Sequence, residues 1–153
     1  MAHEPQLRFV FEVRADVGPS EHIGNGAGDV LDFTPIIGGS VEGPRLRGTI
    51  VPGGGDWAVL RGSVYELDAR YLIRAGDGAL IDVVNRGYWR ALTPEALARA
   101  EAGEELEEAE AYFRTSPVFR TDAPAHRWLA ETVLVGLARD EDGQVCIRFY
   151  EVL

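Results

Sequence analysis

The chain has 153 residues, which suits a single domain over residues 1–153 with one substantial core. Its formal net charge of -10 opposes binding to a phosphate backbone, and no apolar run is long enough to cross a bilayer as a helix. All 15 basic residues are arginine and Cys146 is the single cysteine, so lysine chemistry, an intramolecular disulfide and a cysteine-based zinc site are excluded. The polar opening, Met1 to Leu7, carries no secretory pattern, and a cytoplasmic location is expected.

Most of the sequence alternates with period two, the pattern of strands with one buried face. Leu7, Phe9, Phe11, Val13 and Ala15 share one face of the first run, and Arg8, Glu12, Arg14 and Asp16 take most of the other. "GNGAGD" at 24–29 lacks the glycine spacing of a dinucleotide loop and precedes a strand-like run, so it reads as a flexible loop at the mouth of the fold. Further strand-like runs cover Asp29 to Thr34, Leu46 to Val51, Ser63 to Arg74, Ala79 to Arg86, Val118 to Thr121, Trp128 to Ala138 and Gln144 to Val152. Gly76-Asp77-Gly78 and Asp140-Glu141-Asp142-Gly143 are turn chemistry between such runs and make the sheet mainly antiparallel. One helix interrupts the strands, with Thr93 as N-cap, Pro94 at its first position, an extent to about Ala100 and Gly103 beyond its end. Glu101, Glu104, Glu105, Glu107, Glu108 and Glu110 follow, and they read as a solvated acidic face rather than a metal site.

"PGGGDW" at 52–57 is not a phosphate cradle, because no lysine or Ser/Thr follows the glycines to meet phosphate and magnesium. It reads as a strand-edge bend that turns Asp56 and Trp57 toward the open end of the fold; the other reading has Asp56 cap the bend and Trp57 plug the bottom. In the hairpin that follows, a three-residue turn pairs Ala75 with Ala79, Tyr71 with Val83 and Ala69 with Asn85. This gives an apolar face of Tyr65, Leu67, Ala69, Tyr71, Ile73, Ile81 and Val83, with Asn85 the one amide on it. Arg70 and Asp68 fall on the opposite face, and reach a pocket only where a bulge breaks the alternation. Trp128 to Ala138 leaves two choices of inner face, one carrying Glu131 and the other Trp128, Thr132 and Leu134. His3, His22 and His126 have no helix-spaced metal partners, and none of the four serines sits in a nucleophile elbow, so neither a metal site nor a hydrolytic triad is expected.

The order "PGGGDW", "LDARY", "DGALIDVVNRG", "YFRTSPVFRT", "WL" and "FYEVL" resembles the bacterial and fungal family called domain of unknown function family 3237. The resemblance runs from about Phe33 to the C-terminus. It implies an all-β protein, a single closed antiparallel β-barrel of allene-oxide-cyclase-like or lipocalin-like outline, with a central cavity and no settled reaction. The family pattern falls on Gly54, Asp56, Trp57, Asp68, Arg70, Tyr71, Asn85, Tyr112, Arg114, Trp128 and Leu129, among others. Where the family reads Tyr-x-Trp-Leu-Asn, this chain has His126-Arg127-Trp128-Leu129-Ala130, which lacks the amide and brings a histidine to the rim.

These readings lead to a cavity that takes a small apolar or aromatic ligand without a cofactor or metal. Asp56 is the expected acid/base, with Tyr71 and Asn85 holding a carbonyl or enolate oxygen. Trp57, Arg70, Tyr112, Arg114 and Trp128 are the expected substrate contacts, with Arg114 or Arg70 neutralising charge. A cofactor-free isomerase, cyclase or lyase is expected, against a non-catalytic carrier or sensor and against an assembly module. Apolar residues expected outside, such as Val10 and Val84, suggest a homodimer.

Overall fold

The computed structural model describes residues 2–153. The strands are β1 (Leu7–Val17), β2 (Glu21–Gly26), β3 (Asp29–Glu42), β4 (Gly48–Arg61), β5 (Val64–Ala75), β6 (Leu80–Ala91), β7 (Ala111–Arg120), β8 (Leu134–Glu141) and β9 (Gln144–Val152), with one helix, α1 (Pro94–Glu101), between β6 and β7. Neighbouring strands are antiparallel and follow the order β1-β9-β8-β7-β6-β5-β4-β3, and β1 pairs with β3 to close a ring of eight. The ninth strand, β2, takes the first half of the β3 edge, facing Asp29–Phe33, while β1 takes the second half, facing Ile36–Glu42. Gly18 to Ser20 is the kink between them, pinned where the Gly18 N–H donates to the Pro35 carbonyl at 2.9 Å. The expected closed barrel with one short helix is therefore present. The two ends of the described chain meet on it: Leu7 faces Val152, and the Leu153 N–H donates to the Gln6 carbonyl.

Ring strength is uneven. β5 and β6 pair continuously from Tyr65–Trp89 to Arg74–Leu80, whereas β7 and β8 pair only at Arg114–Leu137 and Thr115–Gly136. The β5–β6 hairpin has the register read from the sequence, with Tyr71 against Val83 and Ala69 against Asn85, because Gly76-Asp77-Gly78 forms the three-residue turn. Helix α1 also begins as expected, with the Thr93 hydroxyl accepting from the Ala96 N–H at 3.1 Å and Gly103 in the left-handed region beyond its end.

Several boundaries differ from the sequence reading. β4 runs straight through the three glycines, and Pro52, Gly53 and Gly54 bulge out against Tyr71 alone. Only glycine fits there: a Cβ on Gly54 would collide with the Arg70 carbonyl and the Tyr71 backbone, and one on Gly55 with the Phe33 ring. "GNGAGD" is the end of β2 and a two-residue hairpin turn rather than a loop. Trp128 to Ala130 belongs to a 3-10 turn, and β8 starts only at Leu134, so the choice at Glu131 is settled by its being exposed and outside any strand. Leu134, Gly136 and Ala138 form the inner face of β8. In β1 a bulge between Phe9 and Phe11 moves Val10 into the core at 0% exposure and leaves Leu7 and Phe9 outside, so Val10 offers nothing to a partner surface.

One half of the barrel is solid. Phe11, Phe119 and Phe149 touch in a three-ring cluster, and Ile73, Ile81 and Leu129 pack with them. The 3-10 turn Pro124–Ala130 covers this end, where the Arg45 guanidinium lies 3.7 Å over the Trp128 ring and bonds the buried Glu151 carboxylate, which Arg8 also holds. His126 sits at this closed end too, bonded to Asp77 of the β5–β6 turn, rather than at the mouth.

Candidate functional site

The other half of the barrel is hollow. A cavity of about 480 Å³ lies among the inner faces of the strands, a volume in the range of small-molecule pockets. Its walls are mostly apolar and aromatic: Val13, Ile36, Leu67, Tyr65, Trp89 and Phe113 belong to them. Helix α1 and the segment after it lie along the mouth, contributing Leu97, Glu101, Glu104 and Leu106. Glu105 fastens that segment by accepting the Asp142 and Gly143 N–H groups, both at 3.1 Å, at the β8–β9 turn. Much of the acidic run thus has specific work: Arg99 bonds Glu110 and Arg148 bonds Glu108.

Asp56, Tyr71 and Asn85 all line this cavity. The glycine bulge adds two residues to β4, an even number that preserves its alternation: Ile50 and Asp56 both face inward, Asp56 opposite Thr34 of β3, and Trp57 faces outward opposite Phe33. The Asp68 N–H donates to Asp56 Oδ1 at 2.9 Å, which holds the carboxyl in place. Burial in an apolar wall raises the pKa of Asp56 to about 6; the hydrogen bond from Asp68 opposes the rise and the Asp68 charge adds to it. Tyr71, 5% exposed, is pushed up by burial alone and remains a neutral phenol at any ordinary pH. Its hydroxyl, Asn85 Oδ1 and Thr115 Oγ1 are buried without a hydrogen-bond partner. Unpartnered polar atoms are costly inside a protein, and three in one cavity make it ready to accept a polar ligand.

The five expected substrate contacts do not line this cavity. Trp57 is 47% exposed and stacks on Phe33 outside the barrel, so it is neither a mouth residue nor a plug. Arg70 is exposed on the outer face of β5, as strict alternation from Tyr71 requires. Tyr112 and Arg114 project outward from β7 into a shallow outer groove with Asp68 and Arg86, where Arg90 and Arg114 lie against the Tyr112 ring. Trp128 belongs to the closed end. No arginine lines the cavity among the described residues; its charged side chains are Asp56, Glu101, Glu104 and Asp140.

Two cavity residues escaped the sequence reading. Thr115 lies on the inner face of β7, in step with Phe113 and Phe119, and starting that strand at Val118 hid it. Asp140 was read as part of a turn, yet the turn proper is Asp142-Gly143 and Asp140 continues the inner series Leu134, Gly136, Ala138. Burial, reinforced by the like charge of Glu105, raises its pKa to about 6 as well.

Fold and cavity together define a closed antiparallel barrel with a small-molecule-sized pocket in its open half. The chain belongs to the family described as protein of unknown function (DUF3237), whose model matches residues 5–152. A UPF0311 protein of Rhodopseudomonas palustris is 33% identical over 149 residues, which is 97% of either chain. The crystal structure of a conserved protein of unknown function from the same organism superposes with a TM-score of 0.91 at 32% identity, covering 100% of both chains. That of a protein of unknown function from Clostridium acetobutylicum does so with a TM-score of 0.88 at 32% identity, over 98% of this chain and 100% of that one. A hydroalkoxylation enzyme of Penicillium herquei is 32% identical over 79 residues, 50% of this chain and 52% of the fungal protein.

Proposed function

We propose that this protein is a cofactor-independent enzyme of the isomerase, cyclase or lyase kind, acting by proton transfer on an apolar aromatic or polyketide-like carbonyl compound held in the barrel. The observation that carries this reading is Asp56, a carboxyl at about 6 in an apolar wall, sharing its cavity with the unpartnered Tyr71 hydroxyl and Asn85 amide oxygen. A base is most effective when its pKa lies near the working pH, and 6 is far better placed than the ordinary 3.8. In this reading Asp56 as carboxylate takes a proton from a carbon or hydroxyl activated by the carbonyl. Tyr71 donates to the carbonyl oxygen as negative charge grows there, the Asn85 side-chain NH2 is the second donor, and its unpartnered Oδ1 is left to accept from a hydroxyl of the ligand. With Arg70 and Arg114 outside, the growing charge is met by hydrogen bonds rather than by a cation, and the acidic lining favours a neutral substrate over an anionic one. The partial likeness to a hydroalkoxylation enzyme supports the reading, since adding O–H across a double bond requires one proton to be taken and one to be given.

The test is exchange of the α-hydrogens of 1-tetralone, a neutral aromatic ketone, in deuterated buffer, followed by NMR. The wild type is expected to speed exchange, and Asp56→Asn to lose about 10²- to 10⁴-fold of that acceleration while still binding the ketone. Binding without any exchange by the wild type identifies a carrier and overturns the enzyme reading.

A further inference from the structure

Asp140 has no role in the scheme above, and nothing in the fold explains a carboxyl there. Its neighbour Arg139 is engaged with Glu12 and Glu141. Among the described residues, the charge that acts on Asp140 is that of Glu105, which repels. A half-buried carboxyl in an apolar wall without a stabilising partner is a burden on folding and a mark of use.

Its position in the ring is specific. Asp56 stands on β4 and Asp140 on β8. From β4, the path through β5, β6 and β7 reaches β8 in four steps, and so does the path through β3, β1 and β9. In a ring of eight these two strands are opposite walls, and both side chains line the one cavity between them. A flat apolar molecule in the cavity therefore lies between two carboxyls that approach it from different sides. The other two acids of the lining, Glu101 and Glu104, belong to the mouth segment.

Resting on the reading of Asp56 as a proton acceptor, we infer that Asp140 is a second catalytic residue, a proton donor working across the substrate from Asp56, and that the pair adds a hydroxyl of the substrate across a carbonyl-conjugated double bond of the same molecule, closing a cyclic ether. The Asp56 carboxylate takes the hydroxyl proton. The oxygen's electron pair forms the C–O bond to the β-carbon, and the π electrons of the double bond move onto the carbonyl oxygen, which accepts from the Tyr71 hydroxyl and the Asn85 side-chain NH2. The enolate so formed takes the proton of the Asp140 carboxylic acid at its α-carbon. No electron is gained or lost overall. Asp56 ends protonated and Asp140 ionised, and water at the mouth returns the proton from one to the other. Because donor and acceptor stand on opposite walls, oxygen and hydrogen join opposite faces of the former double bond.

The probe is 2′-hydroxychalcone, a neutral aromatic ketone whose phenol adds to its own enone to give flavanone. Closure is run in deuterated buffer, reading the rate above background, the enantiomeric excess, and which of the two C3 hydrogens is replaced. The wild type is expected to accelerate closure and to place deuterium on the face opposite the new C–O bond. Asp140→Asn is expected to lower kcat by about 100-fold or more, with KM within about threefold, and to lose the facial preference of deuteration; Asp140→Glu is expected to recover part of both. Where Asp140→Asn does not fold, Asp140→Ser carries the same expectation. If Asp140→Asn or Asp140→Ser keeps wild-type kcat and facial preference while Asp56→Asn is inactive, the role of Asp140 is overturned and that of Asp56 stands. If the wild type exchanges 1-tetralone but never closes the chalcone, hydroxyl addition is overturned and proton transfer stands. If it does neither, both fall together.

Discussion

A carboxyl that moves from an ordinary 3.8 to about 6 on folding binds its proton more tightly in the folded state than in the unfolded chain. The stability this contributes is fully present below about pH 4 and is lost as the pH rises through 6, where the folded state must hold a poorly solvated charge. Two units correspond to about 3 kcal/mol for a fully buried group, and water at the mouth reduces this to about 1–3 kcal/mol for each aspartate. Asp140→Asn is therefore expected to be more stable than the wild type by about that amount at pH 8 and nearly equal to it at pH 4, read from urea midpoints at the two values. A midpoint that falls at pH 8 would mean that Asp140 holds the structure together rather than straining it. The glycines drew attention to Asp56 in the sequence, and alternation continued through them from Ile50 is what sets it inward. Asp140 was not legible, because the cluster Asp140-Glu141-Asp142-Gly143 has turn composition throughout while the turn itself needs only its last two residues. Alternation from Leu134 was the signal that would have found it. The same rule failed at Val10, where a bulge puts two consecutive residues inside and no residue type marks the site.

Among the elements, the β4 bulge bears on the cavity through Tyr71, against which it packs. It opposes three residues to Tyr71 while keeping Ile50 and Asp56 on the same inner face, and it depends on Gly54 lying against the β5 backbone. Gly54→Ala has no flexible neighbour to displace, so it is expected to cost about 1–3 kcal/mol and to disturb the cavity, seen as a lower urea midpoint with weaker binding of 1-tetralone. An unchanged midpoint and unchanged binding would show that β4 tolerates a regular register here and that the bulge is dispensable. The β5–β6 hairpin was readable to the residue, because a Gly-Asp-Gly turn and uninterrupted alternation specify one register. β7 was readable only at its C-terminal end: its first residues follow directly on a short 3-10 turn within the acidic run, and no turn signal marks the change. The substrate contacts expected on Arg70, Tyr112 and Arg114 erred for a related reason: a family motif marks a position without saying which side of the sheet it occupies, and alternation from Tyr71 and Phe113 puts these three outside.

At the scale of the whole molecule, the eight strands of the ring and their antiparallel pairing were in the sequence, and the ninth strand, β2, and the manner of closure were not. That β1 and β2 share one edge of β3 follows from a kink at Gly18 that only the assembled sheet displays. The ring also has a seam. Beyond Arg114–Leu137 and Thr115–Gly136, the backbone groups of β7 that point toward β8 have no partner strand, while those pointing toward β6 are paired along the whole length. Hydrogen exchange along β7 is expected to alternate, slow toward β6 and fast toward β8, whereas β5 stays slow at every residue; uniform protection along β7 would show that the seam is closed in solution. Adjacent walls of this ring are almost all neighbours in the chain and can assemble as successive hairpins. Besides β1 with β3, which skips β2, the exception is the pairing of β1 with β9, which sets Leu7 against Val152 and joins the two ends of the described chain. Such a contact carries the largest loop-closure entropy in the molecule and is the natural last step of folding. The cavity has no complete wall before that step, so a ligand that fits it binds only the finished barrel and slows its reopening.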